Sequence, residues 1–104
     1  MTDPVLARLR LDYRSALVGY LSHRGESQLH SAYEIGRAAI AGRVGLLQLV
    51  EVHNSVTLDL LRAAAGADQL EVAEVAGAFL VEVLAAAEMA QRAFLEGTRP
   101  PDES

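Results

Sequence analysis

The chain has 104 residues, 51% of them hydrophobic, which is enough for one domain with a real core and too apolar for disorder. Its net charge is -5 and its nine basic residues are scattered arginines, which excludes the concentrated basic footprint that nucleic acid requires. The absence of Cys removes disulfides, thiolate nucleophiles and Cys-based metal sites, and no apolar run approaches the roughly 20 residues that cross a bilayer.

Taken in order, the sequence reads as four helices. Asp3 and Pro4 form an N-cap followed by proline at the first helical position. The helix they open runs to about Ser22, with Leu6, Leu9, Tyr13, Ala16 or Leu17, and Tyr20 on its inner stripe. Gly25 is expected to supply a left-handed stop. A second helix from about Ser27 to Ala41 turns Leu29, Ala32, Tyr33, Gly36, Ala39 and Ile40 inward, and Gly36 admits a neighbouring backbone.

Gly42 and Gly45 bracket the turn into a third helix, from Leu46 to about Ala65, with Leu46, Leu49, His53, Val56 and Leu60 as its stripe and Gly66 beyond its end. Asp68 and Glu71 predict a capping box at the start of the fourth helix. That helix runs to about Glu96, with Ala73, Ala76, Leu80, Val83, Ala87, Ala90 and Phe94 inward. The predicted organisation is a four-helix domain over residues 1–97 and a tail or linker start over 98–104. Short connections imply an all-α, antiparallel four-helix bundle. The start, Met1 to Pro4, has neither the basic nor the apolar region of a secretion signal, so the expected compartment is the cytoplasm.

The third and fourth helices carry more apolar surface than one bundle core needs, since such a core covers an arc of ~100° or somewhat more. Large exposed apolar patches mark interaction sites. The excess predicts a homodimer through these two helices, with Leu47, Val52, Leu58, Val72, Val75, Phe79, Ala86 and Ala93 at its interface.

Few side chains are candidates for chemistry. His53 sits in the apolar stripe of the third helix, where a neutral imidazole bonded to a tyrosine or a carbonyl is the plainer reading. With Tyr13, Tyr20 and Tyr33 it makes an expected buried polar core. His23 ends the first helix as a cap. No third ligand joins His30 with Glu34 or Glu71 with Glu74, and no nucleophile–base pair can be assembled. The expectation is no enzyme, no metal and no cofactor. Opposite the core stripe of the fourth helix, Ala78, Val81, Ala85 and Met89 form an apolar strip bordered by Glu74, Glu82, Glu88 and Arg92. A partner surface has that character.

Several segments carry a family resemblance: Tyr13 with Leu17 and Tyr20-Leu21; Glu26-Ser27-Gln28-Leu29; Ala32-Tyr33-Glu34-Ile35-Gly36-Arg37-Ala38; Gly45-Leu46-Leu47-Gln48-Leu49; and His53. Over roughly Tyr13 to Phe94, the chain resembles the N-terminal domain of RsbU-type phosphatases, regulators of bacterial partner-switching stress responses, with most likeness to the actinobacterial branch. The resemblance implies a KaiA/RsbU-like bundle that dimerises, binds a switch kinase of the RsbT type and signals to a serine/threonine phosphatase domain acting in an anti-sigma-factor pathway. By position, it places His30, Val81 and Ala85 on the partner surface. Asn54 stands where many actinobacterial relatives have a second His. Two other readings fit a four-helix bundle: a purely structural dimer, and a histidine phosphotransfer domain. The second needs an exposed phospho-accepting His beside a lysine, and the chain has no Lys.

Overall fold

Each stretch with helical periodicity forms a helix. A computed structural model describes residues 4–97. Within them lie α1 (Pro4–Ser22), α2 (Glu26–Ala41), α3 (Leu46–Ala63) and α4 (Gln69–Gly97), with one 3-10 turn at Gly66–Asp68. The architecture is an all-α bundle, with no strand among the described residues. No described helix is long and apolar enough to cross a membrane. The Asp3 cap and the tail at 98–104 lie outside the described residues.

Around the bundle the helices follow the order α1, α2, α4, α3. Consecutive helices run antiparallel: Leu9 and Asp12 of α1 lie beside Ala38 and Ala39 of α2, while Gly19 lies beside Gln28. Two pairs of neighbours are parallel. Arg24, just before α2, pairs with Glu71 near the start of α4 at 3.0 Å. Further along, Gly36 faces Val83 and Ala87, and Ile40 faces Gln91 and Phe94. On the other side, Leu6 lies beside Gln48 and Val52 and Tyr13 meets His53, so α1 and α3 also run together.

The connections differ from expectation in their chemistry. Gly25 is extended, at φ -120 and ψ 176, and caps the start of α2 rather than ending α1 in the left-handed region. Gly42 has φ -84, and the left-handed residue is Arg43, at φ 60. Around it the Arg43 N–H donates to the Ile40 carbonyl (3.0 Å) and the Val44 N–H to the Ala39 carbonyl (2.8 Å), a Schellman arrangement with arginine in the glycine position. Gln48 turns back so that its Oε1 accepts from the Gly45 N–H at 3.0 Å. The Asp68–Glu71 capping box does not form. Asp68 lies in the 3-10 turn, Glu71 is drawn to Arg24, and Gln69 ties the loop down by donating to the Leu61 carbonyl at 3.1 Å.

The core is centred on Tyr13, Leu17, Leu49, Val56, Phe79 and Val83, all fully enclosed. On α2 the inner stripe is Ala32, Ile35, Gly36 and Ala39. Tyr33, expected inside, is 37% exposed. On α4 the buried stripe is Val72, Val75, Ala76, Phe79, Val83, Ala86 and Ala87, while Ala73 and Phe94 are exposed. The predicted phase of α4 was therefore rotated, and this corrects the predicted dimer interface. Val52, Val72, Val75, Phe79 and Ala86 are covered by the chain's own helices and offer little surface to a second copy. Leu47 (74% exposed), Leu58 and Ala93 remain on the outside.

Candidate functional site

Exposed apolar side chains occur on every helix, and the outer faces of α4 and α2 hold the residues expected at a partner surface. On α4, Ala78, Val81, Ala85 and Met89 are all exposed, Val81 at 65% and Met89 at 52%. They lie opposite the buried stripe because steps of three and four residues keep to one side of a helix. Arg92 closes on Glu88 at 2.6 Å across one turn. Glu74 and Glu82 form no ion pair among the described residues. The face is apolar along its middle and carries uncompensated negative charge along one border.

On α2 the structure assembles a cluster that the sequence reading left incomplete. The rings of His30 and Tyr33 stack, with centroids 6.2 Å apart and planes at 18°. The Arg37 guanidinium lies 5.9 Å from the Tyr33 ring centroid. Glu34 joins both ends, 3.7 Å from His30 Nε2 and 3.9 Å from Arg37. His30, Tyr33, Glu34 and Arg37 occupy positions i, i+3, i+4 and i+7, one turn above another. That spacing was the available signal. His30, Glu34 and Arg37 are legible from it, and only Tyr33, expected with the core, is not. His30 finds its partners on α2 itself, so it belongs to this aromatic cluster rather than to the α4 strip.

The buried polar residues hold the fold together. Tyr13, with no exposed surface, places its hydroxyl 2.6 Å from His53 Nδ1, and His53 is 6% exposed. Burial lowers the His53 pKa and raises that of Tyr13, because desolvation disfavours the charged form of each. Tyr20 is half-buried with its ring 5.9 Å from Phe79. An imidazole so enclosed is closed to a phosphoryl donor, which argues against His53 as a phosphotransfer residue. Among the described residues no group of three or more His, Asp or Glu side chains converges on a point where a metal ion would sit.

The comparison with protein families identifies the bundle. Residues 11–90 match the family model described as phosphoserine phosphatase RsbU, N-terminal domain. The chain belongs to the RsbU N-terminal domain family. No curated protein and no solved structure matches it. In the RsbU N-terminal domain seen here, the matched segment runs from the third turn of α1 through Ala90, taking in both outer faces and the Tyr13–His53 pair. The matched region is the regulatory N-terminal domain of such phosphatases and not their catalytic domain.

Proposed function

We propose that this RsbU N-terminal domain is a non-catalytic cytoplasmic module of a bacterial stress-response pathway. In this reading it docks a switch kinase of the RsbT type on the outer face of α4 and controls a serine/threonine phosphatase domain. The observation that carries it is the exposure of Val81 and Met89 on a face that no other described helix covers. The aromatic cluster at His30 and Tyr33 adds ring and arginine surface of the kind enriched in interfaces.

A homodimer is part of the proposal, with its interface moved to what remains outside: Leu47 and Leu58 on α3 and Ala93 with Phe94 on α4. Partner binding acts mechanically, by shifting the angle between paired fourth helices, and it does so only as far as the partner prefers one geometry over the other. Calorimetry with purified RsbT-type kinases tests the docking face. Val81→Arg abolishes binding while circular dichroism stays unchanged; wild-type affinity in that variant rejects the site. Sedimentation at micromolar concentration tests the dimer. Leu47→Arg converts it to single chains, and a wild type that sediments as one chain removes this part of the proposal.

A further inference from the structure

One row of α4 crosses its outer face without a charge: Ala73, Gly77, Val81, Ala85 and Met89, each four residues from the next and all exposed. Val81 and Met89 rise from this row as large apolar side chains, while Gly77 and Ala85, one step to either side of Val81, are shallow. A Cβ on Gly77 would meet nothing within 4 Å. Rows of i, i+4 residues are the ridges and grooves by which helices interlock, so the relief of this row suits a helix better than a loop or a flat sheet.

The border chooses the partner's charge. Glu74 and Glu82 flank the row and have no ion-pair partner among the described residues, whereas Glu88 is already neutralised by Arg92. A second copy laid on the same row would bring like carboxylates together, and an anionic lipid surface would meet the same repulsion. We infer that the α4 row seats an amphipathic helix of the partner with small apolar residues along its contact line and Lys or Arg at its edge, opposite Glu74 and Glu82. This rests on the docking face proposed above and adds the partner's shape and charge to it.

The probe is a purified RsbT-type kinase, titrated by calorimetry into wild type, Val81→Arg, Gly77→Leu and the double variant Glu74→Lys/Glu82→Lys, each with its helicity checked. The expected result is that the double reversal weakens binding ~10-fold or more, since charge reversal across an interface sets like charges against each other. Wild-type affinity falls as salt rises, and the reversed variant loses most of that dependence. Gly77→Leu fills the shallow part of the row and removes binding. If Val81→Arg removes binding while the double reversal and added salt leave it unchanged, the face stands and the basic helix is wrong. If Val81→Arg itself binds as wild type, the docking face fails and the inference falls with it.

Discussion

Tyr13 and His53 fasten α1 to α3 through one buried hydrogen bond, the phenolic oxygen lying 2.6 Å from Nδ1. The phenol has a single proton and no other partner among the described residues. It therefore donates to Nδ1, which leaves the imidazole proton on Nε2, directed at Thr57 Oγ1 3.4 Å away. Phe79 of α4 meets the Tyr13 ring edge-on at 5.3 Å between centroids, so three helices converge on this pair. Tyr13→Phe keeps the ring and leaves the Nδ1 acceptor unsatisfied inside the core. The expected loss is about 1–3 kcal/mol, read as a lower urea midpoint at unchanged m value. His53→Leu strands the phenol in the same way. The double variant should lose less than the sum of the two, by about 1 kcal/mol. Strictly additive losses would mean that the bond contributes nothing.

The same pair makes stability depend on acidity. Burial holds the His53 pKa below its ordinary 6.5, and Nδ1 must stay unprotonated to accept from Tyr13. As pH falls, the unfolded chain takes up this proton first. The contribution is therefore complete above about pH 6.5 and is lost on acidification toward the folded-state value. For one proton the slope is at most about 1.4 kcal/mol per pH unit. Urea melts at about pH 7 and about pH 5.5 should show wild type losing more stability than His53→Leu over this window. Equal losses in the two proteins would place the effect on other groups.

How well the sequence foretold the core depended on how sharply each helix is divided into faces. On α3, Gln48, Glu51, Ser55, Asp59 and Arg62 occupy one side, so the stripe of Leu49, His53 and Val56 could be read directly. The polar side then meets α1, where Arg10 and Arg14 reach Asp59 at 3.4 and 4.0 Å. On α4 nearly every position between Val72 and Ala87 is apolar or small, and a rotation of one residue leaves a comparable pattern. Its phase is set instead by the neighbour, because Gly36 of α2 lets the helices approach only along Val83, Ala86 and Ala87. The outer strip survived this rotation because its borders, Glu74, Glu82 and Glu88, fix the wet side. Tyr33 could not be assigned from its own helix, since an amphipathic ring suits either side, and its stacking on His30 decides it.

The close approach of α2 and α4 gives one substitution opposite signs at two sites. A Cβ on Gly36 would fall onto the Val83 carbonyl oxygen, with the Ala86 Cβ at 2.9 Å and the Ala87 nitrogen at 3.0 Å. These are backbone atoms and a short side chain of a packed helix, and they have nowhere to move. Gly36→Ala gains helix propensity of about 1 kcal/mol but forces the helices apart. Overpacking of this kind costs about 1–3 kcal/mol or more, so the expected outcome is a net loss of stability. Gly77→Ala meets open space and should stabilise by roughly 0.5–1 kcal/mol. Thermal unfolding of the two variants beside wild type checks both; a stabilised Gly36→Ala would show that the α2–α4 seam is looser than described.

Arg43 poses the converse question, a side chain where glycine would do better. It holds φ 60 at the end of α2, and the bonds from Arg43 and Val44 back to Ile40 and Ala39 fix that conformation. The left-handed region costs an ordinary residue about 1–2 kcal/mol. Glycine removes that strain but gives back part of the gain through its freer unfolded chain, about 0.4–1 kcal/mol. Arg43→Gly should therefore stabilise modestly, by about 0.5–1 kcal/mol, while Arg43→Val, branched at Cβ, should destabilise. The contrast matters because this turn faces the C-terminal part of α4 across an open groove lined by Ile40, Phe94 and Leu95. If Arg43→Gly raises the melting temperature and leaves the proposed kinase binding unchanged, the strained arginine is a purely local cost of the turn. A gain in stability accompanied by lost binding would instead place Arg43 among the residues that meet the partner.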